Sequence, residues 1–272
     1  MYPFIIISRN RKSIVEKLID FALNQKIVSK VIIMDMGSEY PEMREYLRSL
    51  CDPRISISFL DNLGPRKLWI SDEFRNCVGK IGFFLTDGDI DFSETETLVL
   101  QELVRVSKKY RFIRKVGCAL RISDLPIDLD KSNLIFQSEF DNWSEYRLIE
   151  ENMHLAPIDT TIAFYPKYSY DFHHWPSIRI SGNFAVRHTP WYIDYANLND
   201  EEEFYIQNAK GWGGFGTSSE RGVRSDDKNF QDSRLFKYSR IIIWFLKNCP
   251  FLGSWAITRL INLTNNESRI KL

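Results

Sequence analysis

The sequence predicts an α/β protein with an open mixed sheet flanked by helices and a helical appendage at the C-terminus. Over residues 1–92, apolar runs typical of buried strands alternate with segments of helical periodicity. Each of the first four predicted strands ends in a polar turn, and the last turn carries Asp87, Asp89 and Asp91 at alternate positions. Alternation of this kind predicts parallel strands joined by right-handed crossovers.

Four strands and three helices are predicted in this first part of the chain. The strand segments are continuous apolar runs, which are typical of strands covered on both faces. They lie at residues 3–8, 31–34, 55–60 and 82–85. The segments between them repeat apolar residues at helical spacing. These predicted helices lie at residues 13–24, with Ser13 as the expected cap, and at 40–50 and 67–77.

The rest of the chain alternates less regularly. It predicts helices at residues 94–109 and 200–209, strands at 115–122, 161–165 and 178–186, and a largely helical segment at 132–153. We divide the chain into a domain at residues 1–216, a flexible polar linker at 217–233 and amphipathic C-terminal helices at 234–272.

Composition argues against several classes of protein. Lys plus Arg equal Asp plus Glu at 36 each, so no net charge draws the chain to nucleic acid. The 4 cysteines are widely spaced, which argues against a zinc site and indicates free thiols in a reducing compartment. No secretory leader is recognisable, and no apolar run reaches the ~20 residues that span a bilayer. We therefore expect a cytoplasmic protein.

The segment at residues 235–261 is basic and amphipathic. Such a segment can lie on a membrane surface, which would place the protein peripherally on the inner face of the cell membrane. The alternative is a helix pair that docks on the domain, and the sequence favours neither interpretation.

The Asp87-Gly88-Asp89 turn is the strongest candidate for a binding site. Two ionised carboxylates about 5 to 6 Å apart repel each other by about 3 kcal/mol at an effective dielectric near 20, and a divalent cation relieves this repulsion. An ordinary surface turn is the alternative, because Asp and Gly favour turns. The motif is the last of four polar turns on one edge of the predicted sheet, where α/β proteins bind ligands, and this position favours a metal and phosphate site.

The order of the four motifs resembles that of GT-A glycosyltransferases, specifically the large inverting group similar to family 2. The matching segments are IIISRN, VIIMDMGS, LDNLGP and FFLTDGDI, and they cover roughly residues 3–92. The second motif departs from the pattern, since Met36 replaces the usual Asn. The resemblance implies a GT-A-like fold with a nucleotide-binding half at 1–92 and an acceptor-binding half at 93–216.

The resemblance also implies roles for individual residues. Asp35 would contact the base or ribose of a sugar nucleotide, and Asp87 the ribose, while Asp89, with Asp87, would hold Mn²⁺ or Mg²⁺. The remaining residues of the implied nucleotide site are Ser8, Arg9, Asn10, Asn62, Gly64, Arg66 and Gly88. His188 would be a further metal ligand or a phosphate contact, with a purely structural histidine as the alternative.

The resemblance implies that the catalytic base lies at the start of a helix. In the family a carboxylate at such a position takes the proton of the acceptor hydroxyl. Asp200 falls at this position, but Asn199 replaces the expected Glu, and acidic residues at a helix N-terminus are also favoured by capping alone. Asp124 and Asp171 are reserve candidates.

Together these inferences predict a metal-dependent, inverting glycosyltransferase. It would transfer a sugar from a nucleotide donor, expected to be a UDP-sugar, to a glycan or lipid-linked acceptor in bacterial surface polysaccharide synthesis. A nucleotidyltransferase acting on sugar phosphates, which also holds a metal at strand ends, is one alternative. A non-catalytic protein that binds sugar nucleotides or acts as a scaffold is another, and the oligomeric state stays open.

Overall fold

The computed structural model describes residues 1–62, 68–69, 71–78, 81–111, 113–126, 135–136, 139–158, 161–167 and 176–208. The strands are β1 (Tyr2–Ser8), β2 (Val28–Met36), β3 (Ile55–Leu60), β4 (Phe83–Asp87), β5 (Ile90–Asp91), β6 (Lys115–Cys118), β7 (Leu148–Glu150), β8 (Met153–Leu155), β9 (Ile162–Tyr165), β10 (Ser177–Ile180) and β11 (Arg187–His188). The α-helices are α1 (Lys12–Leu23), α2 (Pro41–Ser49), α3 (Asp72–Val78), α4 (Val99–Lys109) and α5 (Asp200–Asn208). The predicted linker and C-terminal helices lie outside the described residues.

Within these ranges, nine strands form one mixed sheet in the order β3-β2-β1-β4-β9-β6-β10-β8-β7. The first four strands along the chain run parallel, as predicted, and β9 inserts antiparallel between β4 and β6. A second sheet pairs β11 with β5 beyond the carboxyl end of β4. In the described part of the chain, no helix combines the length and apolar character needed to cross a membrane.

The parallel strands are buried on both faces, which explains their unbroken apolar sequences. On one face, Ile6, Ile33 and Phe84 pack in a cluster with α1, α2 and α4. On the other face, Ile5 and Leu85 pack in a cluster with α3. Two covered faces hold the carboxyl ends of β1, β2 and β4 rigidly at one edge.

The second half differs from the prediction in its details. In the segment predicted to be largely helical, 132–153, the described residues 135–136 and 139–140 are helical, but the chain from 141 onward forms two short 3₁₀ turns and the β7–β8 hairpin. Burial alternates along Leu148–Glu150, which is the period of a strand, and Asn152 turns the chain with a φ of 61°. Gly182 likewise turns the chain with a φ of 66°, so the strand predicted at 178–186 ends at Ile180.

One helix and one strand are shorter than predicted. Helix α4 begins at Val99 rather than residue 94, because the preceding residues bond to another loop: Glu96 N donates to Asn183 O at 2.8 Å. Strand β6 ends at Cys118, because after the bond from Ala119 N to Ile180 O the chain pairs with Val186, whose N donates to Ala119 O at 3.0 Å. Tertiary hydrogen bonds therefore set both ends.

A group of buried charges lies beside β8 and β10. His154 on β8 is 7% exposed and sits directly across from Arg179 on β10. The Arg179 guanidinium forms an ion pair with Glu139 and donates to Pro157 O at 2.6 Å. Burial, and then the charges of Arg179 and Arg147, hold the pKa of His154 below its ordinary value of 6.5.

The free energy of unfolding should therefore fall as the pH drops below about 6.5, because the unfolded chain protonates His154 before the folded chain does. This one group contributes at most about 1.4 kcal/mol per pH unit, and nothing at higher pH, where both states are neutral. Denaturant unfolding at about pH 7.5 and about pH 5.5 tests this. His154→Gln should lose less stability than the wild type, and an equal loss in both proteins would contradict the assignment.

Candidate active site

The carboxyl ends of three neighbouring strands place the predicted residues side by side. In the β1–β2 ladder Ser8 is paired with Asp35, and in the β1–β4 ladder Ile7 is paired with Asp87. The turns after β1, β2 and β4 thus share one edge, which we call the carboxyl rim. The sequence prediction that these turns lie together is confirmed by this register.

Gly88 has little space for a side chain. A Cβ on Gly88 would lie 3.0 Å from the carbonyl oxygen of Ile7 and 3.2 Å from the Cα of Ser8. The turn after β4 therefore lies close against the end of β1, and a side chain at this position would require a shift of a few tenths of an ångström. This close contact favours glycine here, in addition to the freedom to turn that the sequence suggested.

Asp89 is held by a segment from far along the chain. Strand β11 pairs with β5, and Thr189 donates to the carbonyl oxygen of Asp89 from its N and Oγ1 at 2.9 and 3.0 Å. This pairing places His188 Nε2 3.4 Å from Asp89 Oδ2. The imidazole is in turn set by an edge-on contact with Trp191, at 5.1 Å between ring centroids. His188 and Asp89, which the family resemblance assigned to one metal site, are thus neighbours.

The electrostatics at Asp89 favour a carboxylate. Burial raises the pKa of Asp89, but the charges of His188 and Arg11 outweigh it and hold the pKa below its ordinary value. The side chain is 19% exposed, and its Oδ1 atom is buried without a hydrogen-bond partner among the described residues. An ionised oxygen in this situation is suited to bind a cation.

The residues fit a metal bound partly by a substrate. Within the described ranges, no group of three or more His, Cys, Asp or Glu side chains is arranged to hold a metal ion alone. Mg²⁺ and related ions are commonly held by one or two carboxylates together with substrate phosphates. Asp89, with Asp87 preceding it and His188 beside it, provides a ligand set of this incomplete kind.

The turn after β2 is built by Asp35, Ser38 and Asn10. Asp35 is 2% exposed, and both of its carboxylate oxygens accept hydrogen bonds from Ser38, one from the backbone N at 3.0 Å and one from the hydroxyl. Burial raises the pKa of Asp35 despite these bonds. Gly37, with a φ of 71°, brings the turn to Asn62, whose backbone N would lie 3.4 Å from a Cβ on Gly37.

Asn10 joins this turn to the end of β1. Its side-chain oxygen accepts from the backbone N–H groups of Glu39 and Tyr40 at 2.7 and 3.0 Å, and its own N donates to Ser38 Oγ at 2.9 Å. The side chain is buried and its φ is 54°, in the left-handed region that Asn tolerates. Asp35 and Asn10 therefore shape the turn at the end of β2, and their direct contact with a nucleotide stays a prediction.

Three residues at the end of β1 and in the turn after it carry buried polar atoms that lack hydrogen-bond partners among the described residues. They are Ser8 Oγ, Arg9 Nε, and Arg11 Nε and Nη2. Arg11 was not among the predicted site residues, although the basic run SRNRK in the first motif could have indicated it. Together with Asp89 Oδ1 and His188 Nδ1, these atoms form a concentration of unsatisfied polar groups at the carboxyl rim.

Helix α5 closes one side of this rim. Asn199 and Glu202 form a capping box, with Glu202 N donating to Asn199 Oδ1 at 2.9 Å and Asn199 N to Glu202 Oε2 at 3.1 Å. Glu201 accepts from Ser13 N at 3.0 Å, so it caps α1 in place of the predicted Ser13, which lies inside the first turn. Asp200 takes part in neither contact and is exposed at the start of α5.

Asp124 has a different set of partners. It accepts from Arg187 Nε and Nη2 at 2.8 and 2.6 Å and from the Tyr192 hydroxyl at 2.7 Å. Burial raises the pKa of Asp124, but the bonds from Tyr192 and Arg187 hold it below the ordinary value. Because these bonds occupy both oxygens and disfavour protonation, Asp124 is better placed to anchor β11, which carries His188, than to accept a proton.

The remaining predicted site residues cannot be placed on this rim. Gly64 and Arg66 of the third motif, and the reserve base candidate Asp171, lie outside the described residues. The predicted site residues that are described, other than Asn62, Asp124 and Asp200, lie at the carboxyl ends of β1, β2 and β4, in the turns after β1 and β4, or in β11.

No protein-family model and no curated protein sequence matches this chain. Solved structures do match. The mannosyltransferase PcManGT from Pyrobaculum calidifontis, in complex with GDP-Man and Mn²⁺, superposes with a TM-score of 0.51 at 11% identity, covering 99% of this chain and 80% of that one.

Two further structures match with lower TM-scores. S. aureus TarS 1–349 has a TM-score of 0.43 at 11% identity, covering 93% of this chain and 80% of that one. Glucosyl-3-phosphoglycerate synthase from Mycobacterium tuberculosis has a TM-score of 0.41 at 13% identity, covering 76% of this chain and 75% of that one. The superposition on the mannosyltransferase, together with the strand order, shows that this chain has the GT-A fold that its motifs predict.

Proposed function

We propose that this chain is a metal-dependent glycosyltransferase that moves a sugar from a nucleotide-sugar donor to an acceptor hydroxyl. One observation carries the proposal: of the 11 buried side-chain N and O atoms that lack a hydrogen-bond partner among the described residues, 6 belong to residues at the carboxyl rim or in β11, and they are of two complementary kinds. Asp89 Oδ1 needs a cation or a hydrogen-bond donor, whereas Arg9 and Arg11 need an anion or another acceptor. Each buried polar group without a partner costs about 1–3 kcal/mol, and more if charged.

A divalent metal bound to a diphosphate satisfies both kinds of group at once. The cation would be held by Asp89, with Asp87 and His188 as further ligands or phosphate contacts, and the phosphate oxygens would face the arginines. When bound, such a metal stabilises the charge that develops on the departing nucleoside diphosphate. Asp35 and the Asn62 turn would border the nucleoside, as the sequence motifs imply.

The chain's own groups would then carry the proton and position the acceptor. Asp200 would accept the proton of the acceptor hydroxyl as its oxygen bonds to the anomeric carbon of the sugar. The bond from that carbon to the diphosphate oxygen breaks, and its electron pair leaves with the nucleoside diphosphate. Displacement in one step inverts the configuration at the anomeric carbon, which is the stereochemistry we propose.

The donor and the biological setting rest on similarity. A UDP-sugar follows from the family resemblance, and the superposed mannosyltransferase is in complex with GDP-Man, so sugars of both nucleotides are candidates. We propose a glycan or lipid-linked acceptor in bacterial surface polysaccharide synthesis, with the protein acting at the cytoplasmic face of the membrane.

A thermal unfolding screen of UDP- and GDP-sugars, each with Mn²⁺ and with a chelator, tests the proposal. A donor at about 100 times its dissociation constant stabilises the folded state by about 2.7 kcal/mol, which raises Tm by about 5 to 10 °C. We expect this rise only with the metal present. If no sugar nucleotide raises Tm in the presence of Mn²⁺, the proposed donor site is wrong.

Product analysis then separates the candidate reactions. Release of a nucleoside diphosphate indicates sugar transfer, whereas release or consumption of pyrophosphate indicates nucleotidyl transfer. Metal-dependent binding without either product would indicate a protein that binds sugar nucleotides without catalysis.

A further inference from the structure

Arg11 is a buried cation with an unusual environment. It lies three residues beyond the end of β1 and directly before α1, and the residue is 7% exposed. The face of its guanidinium lies against the ring of Tyr205 on α5, with Cζ 3.6 Å from the ring centroid. This contact uses the flat face of the guanidinium and leaves its edges, where the N–H groups lie, for other partners.

One of these edges lacks a hydrogen-bond partner among the described residues. The two atoms concerned, Nε and Nη2, are adjacent and form a fork that fits two oxygens of one anion. The same pair of atoms binds carboxylates elsewhere in this protein. The examples are Arg54 with Asp52 at 3.2 and 2.9 Å, Arg105 with Glu102 at 2.6 and 2.6 Å, and Arg187 with Asp124 at 2.8 and 2.6 Å.

No acidic residue near Arg11 in the described part of the chain forms a hydrogen bond with this edge. Asp89 is close enough for the Arg11 charge to lower its pKa, but its Oδ2 faces His188 and its Oδ1 makes no hydrogen bond to Arg11. Glu201 comes from the same helix as Tyr205, but its carboxylate accepts from Ser13 N. The fork of Arg11 is therefore a buried, positively charged edge at the rim of the proposed donor site.

We propose that Arg11 binds the diphosphate of the donor through this fork and, through its contact with Tyr205, transmits donor binding to helix α5. The inference rests on the proposed function, since it assigns the anion to the donor. An anion on the edge of the guanidinium fixes the plane of the group and thereby the face on which Tyr205 stacks. Because α5 begins at Asp200, donor binding then fixes the position of the proposed base.

The first test measures binding of UDP and of GDP, each with Mn²⁺, by calorimetry. Arg11→Met should lower the affinity for the nucleotide about ten- to a hundredfold, because the variant loses a bidentate, charge-assisted contact. The affinity for inorganic pyrophosphate, measured by its displacement of the nucleotide, should fall by a similar factor. Pyrophosphate carries the same anion without a nucleoside. Arg48→Met removes an equal charge from an exposed site on α2 and should change the affinity less than about twofold.

Arg11→Lys tests the same contact if the Met variant does not fold. It keeps the charge but loses the fork, so it should show an intermediate loss of affinity. Equal affinity in the wild type and in folded Arg11 variants would overturn the assignment while leaving the proposed function intact. If the wild type binds neither nucleotide with Mn²⁺, the proposed function itself fails.

The second test measures hydrogen exchange in Asp200–Asn208 before and after addition of the nucleotide and Mn²⁺. Exchange should slow at least about twofold in the wild type and in Tyr205→Phe, which keeps the aromatic ring. Tyr205→Leu should bind the nucleotide but show no such slowing, because the contact that transmits binding is missing. Equal slowing in Tyr205→Leu would overturn the link to α5.

Discussion

Replacing Asp89 with Asn is expected to abolish metal-dependent transfer, with a loss of roughly a thousandfold or more. Coordination of the leaving diphosphate by a metal lowers the barrier by several kcal/mol, and each 1.36 kcal/mol is worth about tenfold in rate. The Asn side chain has nearly the same shape but no charge to hold the cation. Transfer assays with increasing Mn²⁺, together with the affinity for Mn²⁺ and a nucleotide, measure the effect.

Asp91→Asn is the matched control for this variant. Asp91 lies in the same run of alternating carboxylates, but it accepts from Ser93 N and Oγ at 2.9 and 2.8 Å and supports the local turn. Removing its charge should leave metal-dependent transfer within about threefold of the wild type. Full Mn²⁺-dependent activity in a folded Asp89→Asn variant would rule out Asp89 as the metal-binding residue.

Replacing Asp200 with Asn should lower kcat by about a hundred- to ten-thousandfold, the range that general-base catalysis contributes. The affinity for the donor and Mn²⁺ should stay within about twofold, because Asp200 is proposed to act on the acceptor and not on the diphosphate. Single-turnover assays and calorimetry on the same variant separate the two effects. Glu203→Gln, also exposed on the first turn of α5, is the control for the loss of a negative charge.

Asp124→Asn distinguishes the second candidate for the base. Its bonds to Arg187 and Tyr192 anchor β11, so we expect lower stability and weaker metal binding through His188 rather than a selective loss of kcat. A selective loss of kcat in Asp124→Asn, with Asp200→Asn fully active, would transfer the role of base to Asp124.

The first half of the fold was predictable because its strands are covered on both faces. Such strands have continuous apolar sequences, and their ends are marked by sharp changes to polar residues at Asn10, Asp35 and Asp87. Parallel pairing then requires these ends to share one edge, so the carboxyl rim follows from the order of strands alone.

The second half was less predictable because short strands and turns depend on contacts distant in sequence. Leu148–Glu150 and Met153–Leu155 hold three residues each, too few for their period to be distinguished from a helix. The start of α4 depends on a hydrogen bond to Asn183, which no local pattern reveals. The sequence allowed Asp200 to be either the catalytic base or a capping residue. Only the structure shows that Asn199 and Glu202 form the cap.

By itself, the sequence determined the parallel half of the sheet and the acidic turns at its carboxyl ends, because burial on both faces and the switch to polar turns are local properties of the chain. Only the tertiary structure decided which distant groups meet at those turns. His188 reaches Asp89 through pairing of β11 with β5, and Tyr205 reaches Arg11 through docking of α5. Such contacts join segments with no shared local pattern, so they are set by packing of the whole domain.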